Sequence, residues 1–106
     1  MKRVVVRYRV KPEKLAEHEE LVRRVFEELE LQRPSGLSYQ AIKLGDGTNF
    51  IHLAEVATPD GVNPLTTLKS FKEFVGSIGE RVEEEVTSSP ATLVGAFKGD
   101  APAIGV

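Results

Sequence analysis

His52, in the run NFIHLAEV, is the side chain of this sequence best suited to moving a proton, because an imidazole titrates near neutral pH. It is the candidate catalytic base. Phe50 shares its segment, and Tyr39, in LSYQAIKL, supplies a phenol that can orient a ligand oxygen. Arg7 and Arg9, in RVVVRYRV, fall on one side of a period-two pattern and can hold an anionic ligand; ion pairs with Glu55 or with carboxylates of a second copy are their other use. Tyr39, Phe50, Arg7 and Arg9 are thus the candidate ligand-binding residues. His18 continues the apolar stripe of a helix and reads as a histidine bordering the core. Two histidines fall short of the usual three or four metal ligands, so no metal site is expected. No Gly-rich phosphate loop, nucleophile elbow or paired-carboxylate motif competes with these residues.

Composition narrows the partners. There are 14 Lys and Arg against 16 Asp and Glu, a formal net charge of −2, which gives no electrostatic footprint for nucleic acid or an anionic membrane. The basic start MKRVVVRYRV is interrupted by Arg3, Arg7 and Arg9 and is neither a signal peptide nor a membrane span. With no Cys there is no disulfide framework and no thiolate chemistry, and the expected location is the cytoplasm. At 106 residues the chain reads as one domain, residues 1–99, with a C-terminal tail over 100–106.

The elements that must position these residues follow from periodicity. Arg3 to Val10 alternates with β-branched residues and reads as a strand. After Pro12, the spacing of Leu15, His18, Val22, Val25 and Leu29 predicts an amphipathic helix of about five turns. Leu37–Leu44 and Asn49–Ala57 read as strands joined by GDGT, where Asp-Gly accepts the backbone of a tight hairpin. Asn63 and Pro64 open a second helix, whose stripe is Leu65, Leu68, Phe71, Val75, Ile78 and Val82. Ala91–Lys98 reads as a fourth strand. The order β-α-β-β-α-β gives a ferredoxin-like α+β fold, a four-stranded antiparallel sheet with two helices on one face.

Register decides what His52 meets. A two-residue turn at Asp46-Gly47 sets it opposite Ala41, with Tyr39 diagonal; a three-residue loop sets it opposite Gln40. Its face is equally open: a ligand pocket, or a hydrogen-bonded position at a seam between two copies. The third and fourth strands also offer apolar residues on both faces, and two helices cover only one. The exposed face would exceed what a soluble monomer usually leaves wet. A homodimer through the open sheet face is therefore expected.

VKPEK after the first strand, PSGLSY entering the second and FIHLAEV in the third resemble the antibiotic-biosynthesis-monooxygenase-like family of the dimeric α/β-barrel superfamily. LTTLKSFKEF is similar to that family's second helix and ATLVGAF to its last strand, so the resemblance spans nearly the whole chain. It implies a barrel-like dimer with a small-molecule pocket between sheet and helices in each subunit. It also implies oxygenase chemistry on a small phenolic or quinonoid molecule, with O2 and no bound cofactor, in which His52 would be the base. The alternatives are a non-catalytic binding or structural barrel, and isomerase or lyase chemistry on the same scaffold. Family oxygenases often carry an aromatic residue soon after the strand-three Glu and a histidine early in the second helix; here those places hold Ala57 and Thr67. The sequence has no Trp, which disfavours the haem-degrading branch.

Overall fold

β1 (Lys2–Arg9), β2 (Leu37–Lys43), β3 (Asn49–Val56) and β4 (Thr87–Pro90) form one antiparallel sheet in the order β2-β3-β1-β4. The structure is a computed structural model and describes residues 1–99, so the expected tail over 100–106 lies outside the described residues. Helix α1 (Leu15–Gln32) follows β1, and α2 (Lys69–Gly76) with the short α3 (Ile78–Arg81) follows β3. Helices cover one face of the sheet, as the ferredoxin-like reading expects. Tyr8, Val10 and Phe50 from the sheet pack there with Val25, Leu65, Leu68, Phe74 and Val82.

Two local devices fix where β2 and β3 run. Asp46 Oδ1 accepts the backbone N–H groups of Thr48 and Asn49 at 2.9 Å each, and Gly47, at φ 82°, bonds Leu44 O through its N–H at 2.9 Å. The chain therefore reverses through a β-turn centred on Gly45 and Asp46 within a loop over 45–48, not through the two-residue primed turn expected at Asp46-Gly47. The register still sets Ala41 opposite His52 and Tyr39 opposite Ala54, as the two-residue-turn alternative expects. At the other end of β2, Gly36 has φ 78° and its carbonyl accepts from Ala57 N at 2.7 Å. A Cβ there would stand 3.1 Å from Ala57 O, so glycine is required both by conformation and by space. α1 ends where Arg33 turns left-handed at φ 43°, its N–H bonding Leu29 O at 2.7 Å, with Pro34 next.

The second helix is not one helix. Pro64–Thr67 is a 3₁₀ turn capped by Asn63, whose side chain accepts from Leu65 N. Leu68 is extended at ψ 132°, and α2 and α3 are separated at Ser77. These breaks shift the stripe: Leu65, Leu68 and Val82 are buried as expected, but Phe74 rather than Val75 turns inward.

The fourth strand is displaced. It is Thr87–Pro90, not Ala91–Lys98, and the cause is the length of its partner. Val4 pairs with Pro90, and Ala91 N bonds Arg3 O at 2.9 Å, so in this register the residues from Leu93 onward would need partners before Lys2, where β1 starts. Ala91–Gly99 therefore carries no strand pairing, and Val94 and Phe97 are 99% and 94% exposed. Pro90 is tolerated because β4 is an edge strand. The fourth strand thus adds nothing to a two-faced apolar sheet. That pattern survives only on β1, β2 and β3, where Val5, Ile42, Ile51 and Leu53 form the apolar part of the open face.

Candidate functional site

Alternate residues of β3, namely Phe50, His52, Ala54 and Val56, are buried under the helices, so His52 faces the helix layer rather than the open face. β1 brings Tyr8 to the same side through the pairs Tyr8–Phe50 and Val6–His52. Tyr39 on β2 completes the sheet's contribution. Its ring is flanked by Phe26 of α1, stacked at 5.3 Å.

These side chains form one continuous hydrogen-bonded chain. Tyr39 Oη lies 2.5 Å from His52 Nδ1, and His52 Nε2 lies 2.6 Å from Tyr8 Oη. Tyr8 Oη lies 2.6 Å from His18 Nε2 as well. Arg81 Nε then donates to His18 Nδ1 at 3.0 Å. The guanidinium is fully buried and also donates to Phe74 O at 2.7 Å and Ser77 Oγ at 2.5 Å. It thereby satisfies a carbonyl in the last turn of α2, where a cation is favoured. Its guanidinium carbon lies 5.3 Å from the centre of the Phe74 ring.

The chain is neutral up to its arginine. Burial holds the His52 imidazole down at about 4. Burial, and next the Arg81 cation, hold His18 at about 4. Burial raises both tyrosine hydroxyls well above their ordinary range. At neutral pH no member except Arg81 carries charge.

Beside the chain lies a cavity of about 320 Å³ between sheet and helices. Val4, Val6, Ala54, Leu65, Phe71, Phe74, Val75, Ile78 and Val86 make its apolar wall; Tyr8, Tyr39, His52 and Asn63 are its polar members. A mostly apolar concavity with a few convergent polar groups is the usual form of a small-molecule site.

Of the sequence-derived candidates, His52 and Tyr39 meet at this cavity. Phe50 sits behind them, stacked on Tyr8 at 5.5 Å and edge-on to His18, outside the cavity lining. Arg7 and Arg9 do not join the His52 site. They alternate with Tyr8 along β1 and so belong to the open face, where Arg9 reaches Glu83 at 3.5 Å. Glu55 pairs with Arg3 at 3.5 Å, also on that face. The cation near the site is Arg81 instead.

Sequence reasoning missed Tyr8, His18 and Arg81 as partners of His52. Tyr8 carried a usable signal, the even-numbered inward side of β1. His18 and Arg81 needed the packing of α1 against α3, which periodicity does not supply. Among the described residues no three His, Cys, Asp or Glu side chains gather as metal ligands, and no helix is long and apolar enough to cross a membrane.

Sheet and helix layer together define a ferredoxin-like α+β fold of the kind seen in antibiotic biosynthesis monooxygenases. A crystal structure of an antibiotic biosynthesis monooxygenase superposes with TM-score 0.73 at 20% identity, covering 90% of this chain and 100% of that one. A mutant of SnoaB, a cofactor-independent oxygenase from Streptomyces nogalater, gives TM-score 0.68 at 14% identity, over 92% of this chain and 97% of that one. A conserved protein from Methanosarcina mazei Go1 gives 0.69 at 23% identity, over 85% and 89%. No family model matches the sequence, and no curated protein matches it. At these identities the likeness establishes the fold.

Proposed function

We propose that the protein is a homodimeric, cofactor-independent oxygenase acting on a small phenolic or quinonoid molecule held between sheet and helices. The observation that carries this reading is the mostly apolar cavity of about 320 Å³ whose polar members include the hydrogen-bonded Tyr39–His52 pair. Oxygen chemistry without a cofactor needs an electron-rich anion, a site that excludes water and a group to steady the developing oxygen charge. A ring methylene becomes a carbonyl, one oxygen atom stays, and the other leaves as water with the two hydrogens. No external reductant is consumed.

In this reading Tyr39 touches the ligand oxygen, and His52 acts through Tyr39, since both its ring nitrogens are engaged by tyrosine hydroxyls. The dimer forms through the open face. Its support is the apolar group Val5, Ile42, Ile51 and Leu53, together with the exposed Val94 and Phe97 of the unpaired segment, which a second copy can cover.

The test is oxygen uptake by the purified protein with a panel of hydroxyanthrones and quinols. Uptake lowered at least tenfold by His52→Ala is the expected result. No uptake across the panel, or uptake indifferent to His52→Ala, removes the oxygenase reading for that class and leaves a binding protein.

A further inference from the structure

The hydrogen-bonded chain has a direction, and Arg81 sets it. A guanidinium only donates, so His18 Nδ1 must accept and cannot carry a proton. The proton of a neutral His18 is then on Nε2, which donates to Tyr8 Oη. Were Tyr8 to donate to His18 instead, the ring would accept at both nitrogens, and that requires an imidazolate. Tyr8 has one hydrogen of its own, and His52 Nε2 is the acceptor within reach. Donation the other way, from His52 Nε2–H, would strand the Tyr8 hydrogen in a buried site. His52 therefore carries its proton on Nδ1 and donates to Tyr39 Oη. The order runs Arg81 to His18 to Tyr8 to His52 to Tyr39, each oxygen and ring accepting from the inner side. At the outer end the Tyr39 O–H has no acceptor among the described residues, and its oxygen is already occupied by His52.

We propose that this chain is a one-way relay whose free end, the Tyr39 O–H at the cavity wall, selects ligands presenting an acceptor oxygen, a carbonyl or an ionised phenol. It rests on the preceding reading only in taking the cavity as the ligand site, and needs no oxygen chemistry. A ligand whose polar group at that point is a hydroxyl donor finds no acceptor there. Tyr39 is the contacting residue. His52, Tyr8, His18 and Arg81 are positioning residues that keep its hydrogen turned outward.

Two measurements test it. Nitrogen-15 NMR of the histidine side chains in the ligand-free protein is expected to find opposite tautomers, Nε2–H for His18 and Nδ1–H for His52. The same tautomer on both rings, or the reverse pair, overturns the relay without any variant having to fold. Calorimetric titration then compares 1,4-naphthoquinone with naphthalene, which lacks the acceptor oxygens. Tyr39→Phe is expected to weaken naphthoquinone about tenfold, the scale of one lost hydrogen bond, and naphthalene less than about twofold. Equal losses for both probes, an unchanged naphthoquinone affinity, or no quinone binding by the native protein overturns the selectivity. An absence of oxygen uptake would overturn only the oxygenase reading, because neither measurement here depends on turnover.

Discussion

Along β3, Phe50, His52, Ala54 and Val56 are buried beneath the helices, whereas Ile51, Leu53 and Glu55, one residue out of step, lie on the open face. The same alternation on β1 separates Tyr8 from Arg7 and Arg9. On the inner side the two histidines and two tyrosines are neutral and joined end to end, with Arg81 the one cation of the chain and the Tyr39 O–H its one free donor. On the open side charged residues, with the Arg3–Glu55 and Arg9–Glu83 pairs at 3.5 Å, and the neutral Ser38 and Gln40 lie about an apolar group. On the proposed reading, one strand set presents a ligand wall on one side and a docking face on the other. The difference teaches that a residue's chemistry here depends first on whether its position is odd or even.

Several changes should break or sharpen that contrast. The largest effect belongs to the open face. Leu53→Glu puts a carboxylate into the apolar group, and a second copy would bring the same charge to the two-fold interface. Light scattering at micromolar concentration is expected to find a dimer for the native protein and a monomer for this variant. A native monomer would contradict the docking assignment.

Next comes the inner face in acid. His18 and His52 have folded values of about 4 against an ordinary value of 6.5, so between these limits the unfolded chain binds protons that the folded one does not. Their stabilisation is complete above pH 6.5 and is lost as pH falls toward 4. The loss is on the order of 3 kcal/mol per histidine. Urea midpoints measured at pH 7, 5.5 and 4.5 should fall in sequence; a flat series would contradict the buried, neutral assignment.

Smaller again is Arg81→Met, which removes the donors to His18, Ser77 and Phe74 O while keeping an unbranched apolar stem. A loss of about 2–3 kcal/mol is expected in the same urea assay. An unchanged midpoint would show that the guanidinium does not hold the α2–α3 junction.

How far these faces could be read from residues alone depended on the kind of signal. α1, the place of the β2–β3 hairpin and the Ala41–His52 register rest on local rules and sequence spacing and were legible. The turn type was not, because the Asp46 side chain ties Thr48 and Asn49 and moves the bend to Gly45-Asp46. β4 was not, because ATLVGAF has the better strand composition while Thr87–Pro90 has the available partner. Pairing length decides that contest, and it is a property of β1. The break in the second helix was half legible: Gly76 weakens a helix, yet the exchange of Val75 for Phe74 as the inward residue needed the actual turn at Ser77. At the site, His52 and Tyr39 were found through the hairpin register. Arg7 and Arg9 were chosen for their charge, and the alternation of β1 places them on the other side. Arg81 was invisible because a lone arginine near a helix end usually faces water.

The most direct test of the central claim, that the ligand wall is the inner face, is to map amide chemical shifts while adding 1,4-naphthoquinone to the native protein. Perturbation is expected to concentrate at Tyr8, Tyr39, His52, Ala54, Phe71 and Ile78, leaving Val5, Ile51 and Leu53 largely unmoved. Shifts centred on Val5, Ile51 and Leu53, or no saturable shifts at all, would contradict it.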